Sequence, residues 1–77
     1  MQVIIDYLYD CKATKIVQFG SSVWRNVYRD IDIFVELPYN EEILKKVKLI
    51  NPKIDLHFGS SWEEFSSRLG IKKFIVL

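Results

Sequence analysis

The chain has 77 residues, of which 49% are hydrophobic, 14% aromatic and 27% charged, with a formal net charge of +1. That length supports one domain, residues 1–77, which buries only about 60–65% of the surface its unfolded form exposes, so the core must be efficient or a partner must help. The near-neutral charge gives no general pull toward nucleic acid or an anionic membrane; the lone Cys11 closes no internal disulfide, no Cys/His cluster suggests structural zinc, and no apolar run approaches the roughly 20 residues of a bilayer span.

The opening MQVIIDYLYD carries acids and lacks a basic n-region, so it does not read as a signal peptide, and a soluble cytoplasmic protein is expected. Val3, Ile4, Tyr7, Leu8 and Cys11 recur at helical spacing and predict an amphipathic helix over residues 2–11. Lys15 to Phe19 reads as a short apolar strand closed by Gly20. Ser21 or Ser22 then caps a short helix or turn over residues 22–27.

Residues 30–37 alternate strictly. Ile31, Ile33, Val35 and Leu37 share one face; Asp30, Asp32, Phe34 and Glu36 share the other, which predicts a strand with one buried face. Asn40 is a good N-cap, followed by Glu41 and Glu42 and later by Lys45, Lys46 and Lys48, the charge order a helix dipole favours. Ile43, Val47 and Ile50 form its apolar stripe, and Pro52 stops it. Lys53 to Phe58 alternates again, with Asp55 and His57 on the polar side. Ser61 to Glu64 reads as a capping box opening a helix that carries Trp62, Phe65 and Leu69, and Gly70 is its C-terminal cap. Ile71 to Leu77 reads as a last strand. The order α-β-α-β-α-β-α-β implies an α/β (α+β) domain, with helices packed on a mixed sheet of about four strands.

The string FGSS occurs twice, at Phe19–Ser22 and at Phe58–Ser61. A duplication is the weaker explanation, because the similarity stops after Trp62. The plainer one is that both sites turn a strand sharply into a helix, with Gly permitting the turn and Ser capping. The residues after each turn separate the two. The second turn runs into a capping box. In the first, eight residues separate Ser21 from Asp30-Ile31-Asp32.

Asp30 and Asp32 sit at i and i+2, so on a strand they share a face about 6.5–7 Å apart. Strands disfavour Asp, and two carboxylates aimed into one space repel unless a cation lies between them. Asp55 stands on the polar face of a later strand. If the two strands are neighbours, three carboxylates converge in a set of hard oxygen ligands suited to Mg²⁺ or Mn²⁺. Backbone N–H groups at the Gly20-Ser21 turn, with a serine hydroxyl, would hold phosphate. The chemistry expected is metal-assisted attack on the α-phosphate of a nucleoside triphosphate, with pyrophosphate leaving.

The run Phe19-Gly20-Ser21, then Asp30-Ile31-Asp32-Ile33, then a later strand with Asp55, resembles the nucleotidyltransferases of the DNA polymerase β superfamily, and most closely their minimal prokaryotic group. The resemblance spans about Lys15 to Trp62. It implies a polymerase β palm-like fold. It implies that Gly20 and Ser21 hold the β- and γ-phosphates, that Asp30 and Asp32 bind the metals, and that Asp55 completes the site and helps deprotonate the attacking hydroxyl. It further implies a helical HEPN-type partner in a toxin–antitoxin pair, with AMP moved onto a hydroxyl of that partner. The chain departs from the family in its short spacing before Asp30, in Val23, Trp24 and Arg25 after the serines, and in Arg29 before Asp30. A contact-only antitoxin without catalysis is the alternative, and a structural domain with incidental acids is a third.

Ser22 and Arg25 complete the candidate phosphate set; Arg25 and Arg29 suit either phosphate or a neighbouring acid. His57 reads as a surface histidine, although it shares a face with Asp55. Trp24 and Tyr28 read as core or as partner surface rather than as base-stacking groups. The apolar stretch Phe74 to Leu77 suggests a dimer or heteromer unless it lies inside the sheet.

Overall fold

The computed structural model describes all residues, 1–77. Helix α1 (Gln2–Asp10) leads to strand β1 (Ile16–Phe19), a 3₁₀ turn (Ser21–Val23), strand β2 (Ile31–Glu36), helix α2 (Glu41–Ile50), strand β3 (Ile54–Gly59), helix α3 (Trp62–Leu69) and strand β4 (Phe74–Val76). The four strands form one sheet in the order β3-β2-β1-β4. β1 runs antiparallel to β2 and to β4, whereas β2 and β3 are parallel, joined through α2. This is the mixed α/β domain that the element order predicts. No helix is long and apolar enough to cross a membrane.

The pleat sorts the side chains onto two faces. On one face Ile16, Ile33, Val35, Ile54 and Leu56 pack with Ile4 and Leu8 of α1 and with Ile43 and Val47 of α2. On the other, Val17, Phe19 and Phe34 pack with Trp62 of α3, flanked by Phe65. Phe34 is fully buried. Its ring lies 5.4 Å from Trp62 and 4.7 Å from Phe65, within the range where aromatic pairs attract.

The helix ends follow from particular groups. Asn40 Oδ1 accepts from Ile43 N–H at 3.1 Å, capping α2. Ser61 Oγ accepts from Glu64 N–H at 3.3 Å, but Glu64 does not complete the box; its carboxylate reaches Arg68 instead. A distant strand satisfies another free donor at this helix start, because Glu36 Oε2 accepts from the Trp62 N–H at 2.8 Å. Gly70 closes α3 in the left-handed conformation at φ 68°.

Three boundaries differ from the sequence reading. The short helix or turn expected over 22–27 is a single 3₁₀ turn at Ser21–Val23, with Gly20 at its N-cap and, against expectation, no side-chain cap from either serine. Strand β2 begins at Ile31, not Asp30. Strand β4 is three residues long and lies at the sheet's edge, with Phe74, Ile75 and Val76 all exposed.

Candidate functional site

Register places the acids. Asp32 stands opposite Phe19 of β1 on one side and opposite Asp55 of β3 on the other. Because β2 and β3 are parallel and in step, the two carboxylates project from the same face at the same level. His57, two residues beyond Asp55, shares that face. Its Nε2 lies 3.4 Å from Asp32 Oδ1 and 3.5 Å from Asp55 Oδ2. One ligand atom from each of the three falls within 4.8 Å of the others. No lysine or arginine pairs with either aspartate, so His57 is their sole cationic partner when protonated.

The imidazole is held by packing. Its ring centroid lies 5.3 Å from that of Phe19 and 5.8 Å from that of Phe65. The cluster thus sits where the aromatic floor under α3 gives way to solvent, with Asp32 and His57 partly covered and Asp55 exposed.

The first FGSS turn abuts this cluster. Gly20 has φ 80° and ψ −165°, a conformation essentially restricted to glycine. A Cβ there would collide with the Asp32 carboxylate. A cleft of about 330 Å³ opens beside the turn, lined by Ser21, Arg25, Val27, Tyr28, Arg29, Asp30 and Asp32. Ser22 turns elsewhere; its Oγ accepts from Gln18 Nε2 at 3.0 Å. Arg25 and Arg29 pair with no acid. The Arg25 guanidinium lies instead 4.5 Å from the Trp24 ring centroid.

The structure therefore brings together Asp32, Asp55 and the Gly20–Ser21 turn, with Arg25 lining the adjoining cleft. Asp30 lies in the exposed loop before β2 and lines that cleft, but it is not one of the three converging ligands. Its expected place on the strand face needs a pleat that starts only at Ile31. His57 takes the third position instead, and the alternation of Lys53 to Phe58 already places it beside Asp55. Trp24 and Tyr28 are exposed at 54% and 37%, so neither is core.

The second FGSS turn differs. Gly59 has no positive φ, and a Cβ there would meet the Phe34 ring at 2.8 Å rather than a carboxylate.

No family model matches the chain, and neither a curated protein nor a solved structure matches it. The functional reading therefore rests on this geometry and on the motif order.

Proposed function

We propose that the protein is a divalent-metal-dependent nucleotidyltransferase whose site is built on Asp32, Asp55 and His57 beside the Gly20–Ser21 turn. The observation that carries the proposal is the convergence of these three side chains next to a glycine that leaves no room for a Cβ against Asp32. The donor set fits a divalent ion. Two ligands about 2.1 Å from one ion at right angles are about 3 Å apart, close to the 3.4 and 3.5 Å separations here. An imidazole beside two carboxylates favours Mn²⁺ or another first-row ion over Mg²⁺. When bound, such an ion would supply charge stabilisation to a phosphoryl oxygen.

The chain's own groups have separate tasks. Asp32 and Asp55 hold the cation. His57 completes the set and fixes Asp32 from the aromatic side. Ser21 and Arg25 present a hydroxyl and a guanidinium to the phosphates in the adjoining cleft, where Asp30 faces the incoming acceptor hydroxyl. The substrate is ATP or another nucleoside triphosphate, and the acceptor is a hydroxyl on a helical HEPN-type partner protein. A palm-like nucleotidyltransferase fold belongs to the same proposal; the four-stranded sheet with Asp32 and Asp55 on adjacent strands supports it.

A contact-only binding module is favoured by one observation: His57 already gives both aspartates a partner without metal. Mn²⁺ titration separates the readings. At one hundred times its dissociation constant a ligand adds about 2.7 kcal/mol, which in a domain this size raises Tm by about 10–20 °C. That rise is expected in the wild type and absent in Asp32→Asn/Asp55→Asn, and Mn²⁺-dependent transfer of labelled AMP onto a bound partner should vanish with it. No metal response in the wild type, or transfer surviving the double substitution, would sink the enzyme reading.

A further inference from the structure

Strand β4 ends the sheet, and the pairing fixes which of its backbone groups face outward. Glu36 N–H donates to Lys15 O at 2.9 Å, so the odd-numbered residues of β1 bond to β2 and the even-numbered ones face β4. Leu77 N–H donates to Ile16 O at 2.9 Å, in the same phase. Ile75 therefore turns its N–H and C=O toward Gln18, and Phe74 and Val76 turn theirs away from the sheet. No turn or loop bond takes up these outward groups. The side chains are open as well. Phe74, Ile75 and Val76 are exposed, whereas Val17, Phe34 and Val35 of the inner strands are buried.

The two ends of this edge differ in charge. Lys72 and Lys73 precede Phe74, and neither has a carboxylate within salt-bridge distance. The other end lies against α1, where the Tyr9 hydroxyl donates to Leu77 O at 2.8 Å. Asp10 follows Tyr9, is exposed, and pairs with no lysine, the nearby Lys12 included. The last turn of α1 holds no basic residue. An antiparallel copy of the same edge meets it basic end to acidic end.

We infer that β4 pairs antiparallel with β4 of a second copy, about a two-fold axis at Ile75, joining two four-stranded sheets into one. Phe74 of each copy stands opposite Val76 of the other and exchanges both backbone bonds with it. These two side chains meet on the α3 face, where Trp62 already lies 5.1 Å from the Phe74 ring, and the two Ile75 side chains meet on the opposite face. Lys73 stands opposite Leu77 of the other copy, beside the α1 end that carries Asp10. A parallel copy would set Lys73 beside Lys73 and leave Asp10 unanswered. Asp32 and Asp55 lie two and three strands from this edge, so the contact leaves their cluster open and holds whether or not that cluster binds metal. The paired edge is smaller than the interfaces of permanent dimers, so monomer and dimer exchange.

Sedimentation of the full chain at concentrations up to millimolar tests the pairing. The wild type is expected to pass reversibly from monomer to dimer. Val76→Pro removes an outward N–H and no bond to β1, a place where edge strands tolerate proline. Counted twice across the two-fold, that loss should weaken the dimer by about tenfold or more while the amide spectrum stays dispersed. Lys73→Glu should weaken it severalfold at low salt, and Lys73→Glu/Asp10→Lys should recover it. In a mixture of labelled and unlabelled chains, nuclear Overhauser contacts between Phe74 of one copy and Val76 of the other are expected. A chain monomeric at every concentration, a dimer undiminished by Val76→Pro, a charge swap without recovery, or contacts through another surface would overturn the dimer. So would association that appears only in Lys72→Ala/Lys73→Ala, since the lysines would then guard the edge. A monomeric chain whose Phe74 and Val76 amides shift with an extended acidic peptide would give the edge to a foreign strand instead of a second copy.

Discussion

Replacing Gly20 with Ala tests the core of the site argument. At φ 80° and ψ −165° a side chain is strained by about 1–3 kcal/mol, and the loss of unfolded-state freedom returns only about 0.4–1 kcal/mol. The added Cβ also falls against the Asp32 carboxylate, which must move. A net loss of about 1–3 kcal/mol is expected, against a total of about 4–12 kcal/mol for a domain this size. Urea unfolding read by the fluorescence of buried Trp62 measures it. Gly59→Ala is the control from the same FGSS string. There the Cβ meets the edge of the Phe34 ring at 2.8 Å, an overpacking that costs about 1–3 kcal/mol as well. Stability alone will not distinguish the two variants, but Mn²⁺ will. Gly59→Ala should bind it as the wild type does, and Gly20→Ala should lose it because Asp32 is displaced from Asp55 and His57. Equal Mn²⁺ binding by both variants would refute the link between the first turn and the acidic cluster, and a Gly20→Ala protein as stable as wild type would refute the backbone argument.

Phe34→Ala removes the largest fully buried side chain and should cost about 3–5 kcal/mol, enough to abolish cooperative thermal unfolding at the low end of the stability range. Asn40→Ala should cost about 1 kcal/mol through loss of the α2 cap, whereas Ser61→Ala should cost less in the same urea assay, because Glu36 continues to hold the Trp62 N–H. The Glu63 carboxyl is held below the ordinary glutamate value, first by a hydrogen bond from its own backbone and then by Lys15. Its contribution to stability is therefore present above the unfolded-state value and fades as pH falls through the lower folded value. Lys15→Met should move the Glu63 midpoint part of the way back up in an NMR titration, and an unmoved midpoint would show that the backbone bond acts alone.

Much of the fold is legible in the sequence because each element carries its own punctuation. Asn40, Ser61 and Gly70 mark helix ends by local hydrogen bonding that needs no tertiary context, and Ile31 to Glu36 alternates without a break. The position of Asp30 is not legible, because the alternation runs on through it. Pairing decides where the pleat starts, and β3 begins opposite Ile31, whose N–H is held by Lys53 O at 2.9 Å. The weight of His57 is hidden for a related reason. Its place beside Asp55 is local, but its approach to Asp32 depends on β2 and β3 being parallel neighbours in register. Residue type alone allows Trp24 a place in the core; its exposure is visible only in the folded chain. The second acceptor at the start of α3 comes from Glu36, 26 residues away from Trp62, and no capping pattern announces it.

Strand direction explains how one string yields two unlike turns. β1 runs antiparallel to β2, so its C-terminal end, with Phe19 and Gly20, meets the start of β2 at Asp32. β3 runs parallel to β2, so its C-terminal end, with Phe58 and Gly59, meets the end of β2 at Glu36. The two FGSS turns therefore flank opposite ends of a single strand, each beside an acidic residue of that strand. The acids are not equivalent. Both oxygens of Glu36 accept hydrogen bonds from the chain, one from Thr14 Oγ1 at 2.7 Å and one from Trp62 N–H at 2.8 Å, so that carboxylate is committed to starting α3. Asp32 has only the long 3.4 Å contact to His57, and the glycine beside it bonds nothing on its behalf. A partly covered carboxylate with spare acceptor capacity, next to a second carboxylate and with only His57 to share between them, can still take a partner from outside the chain. That asymmetry favours chemistry at the first turn and structure at the second.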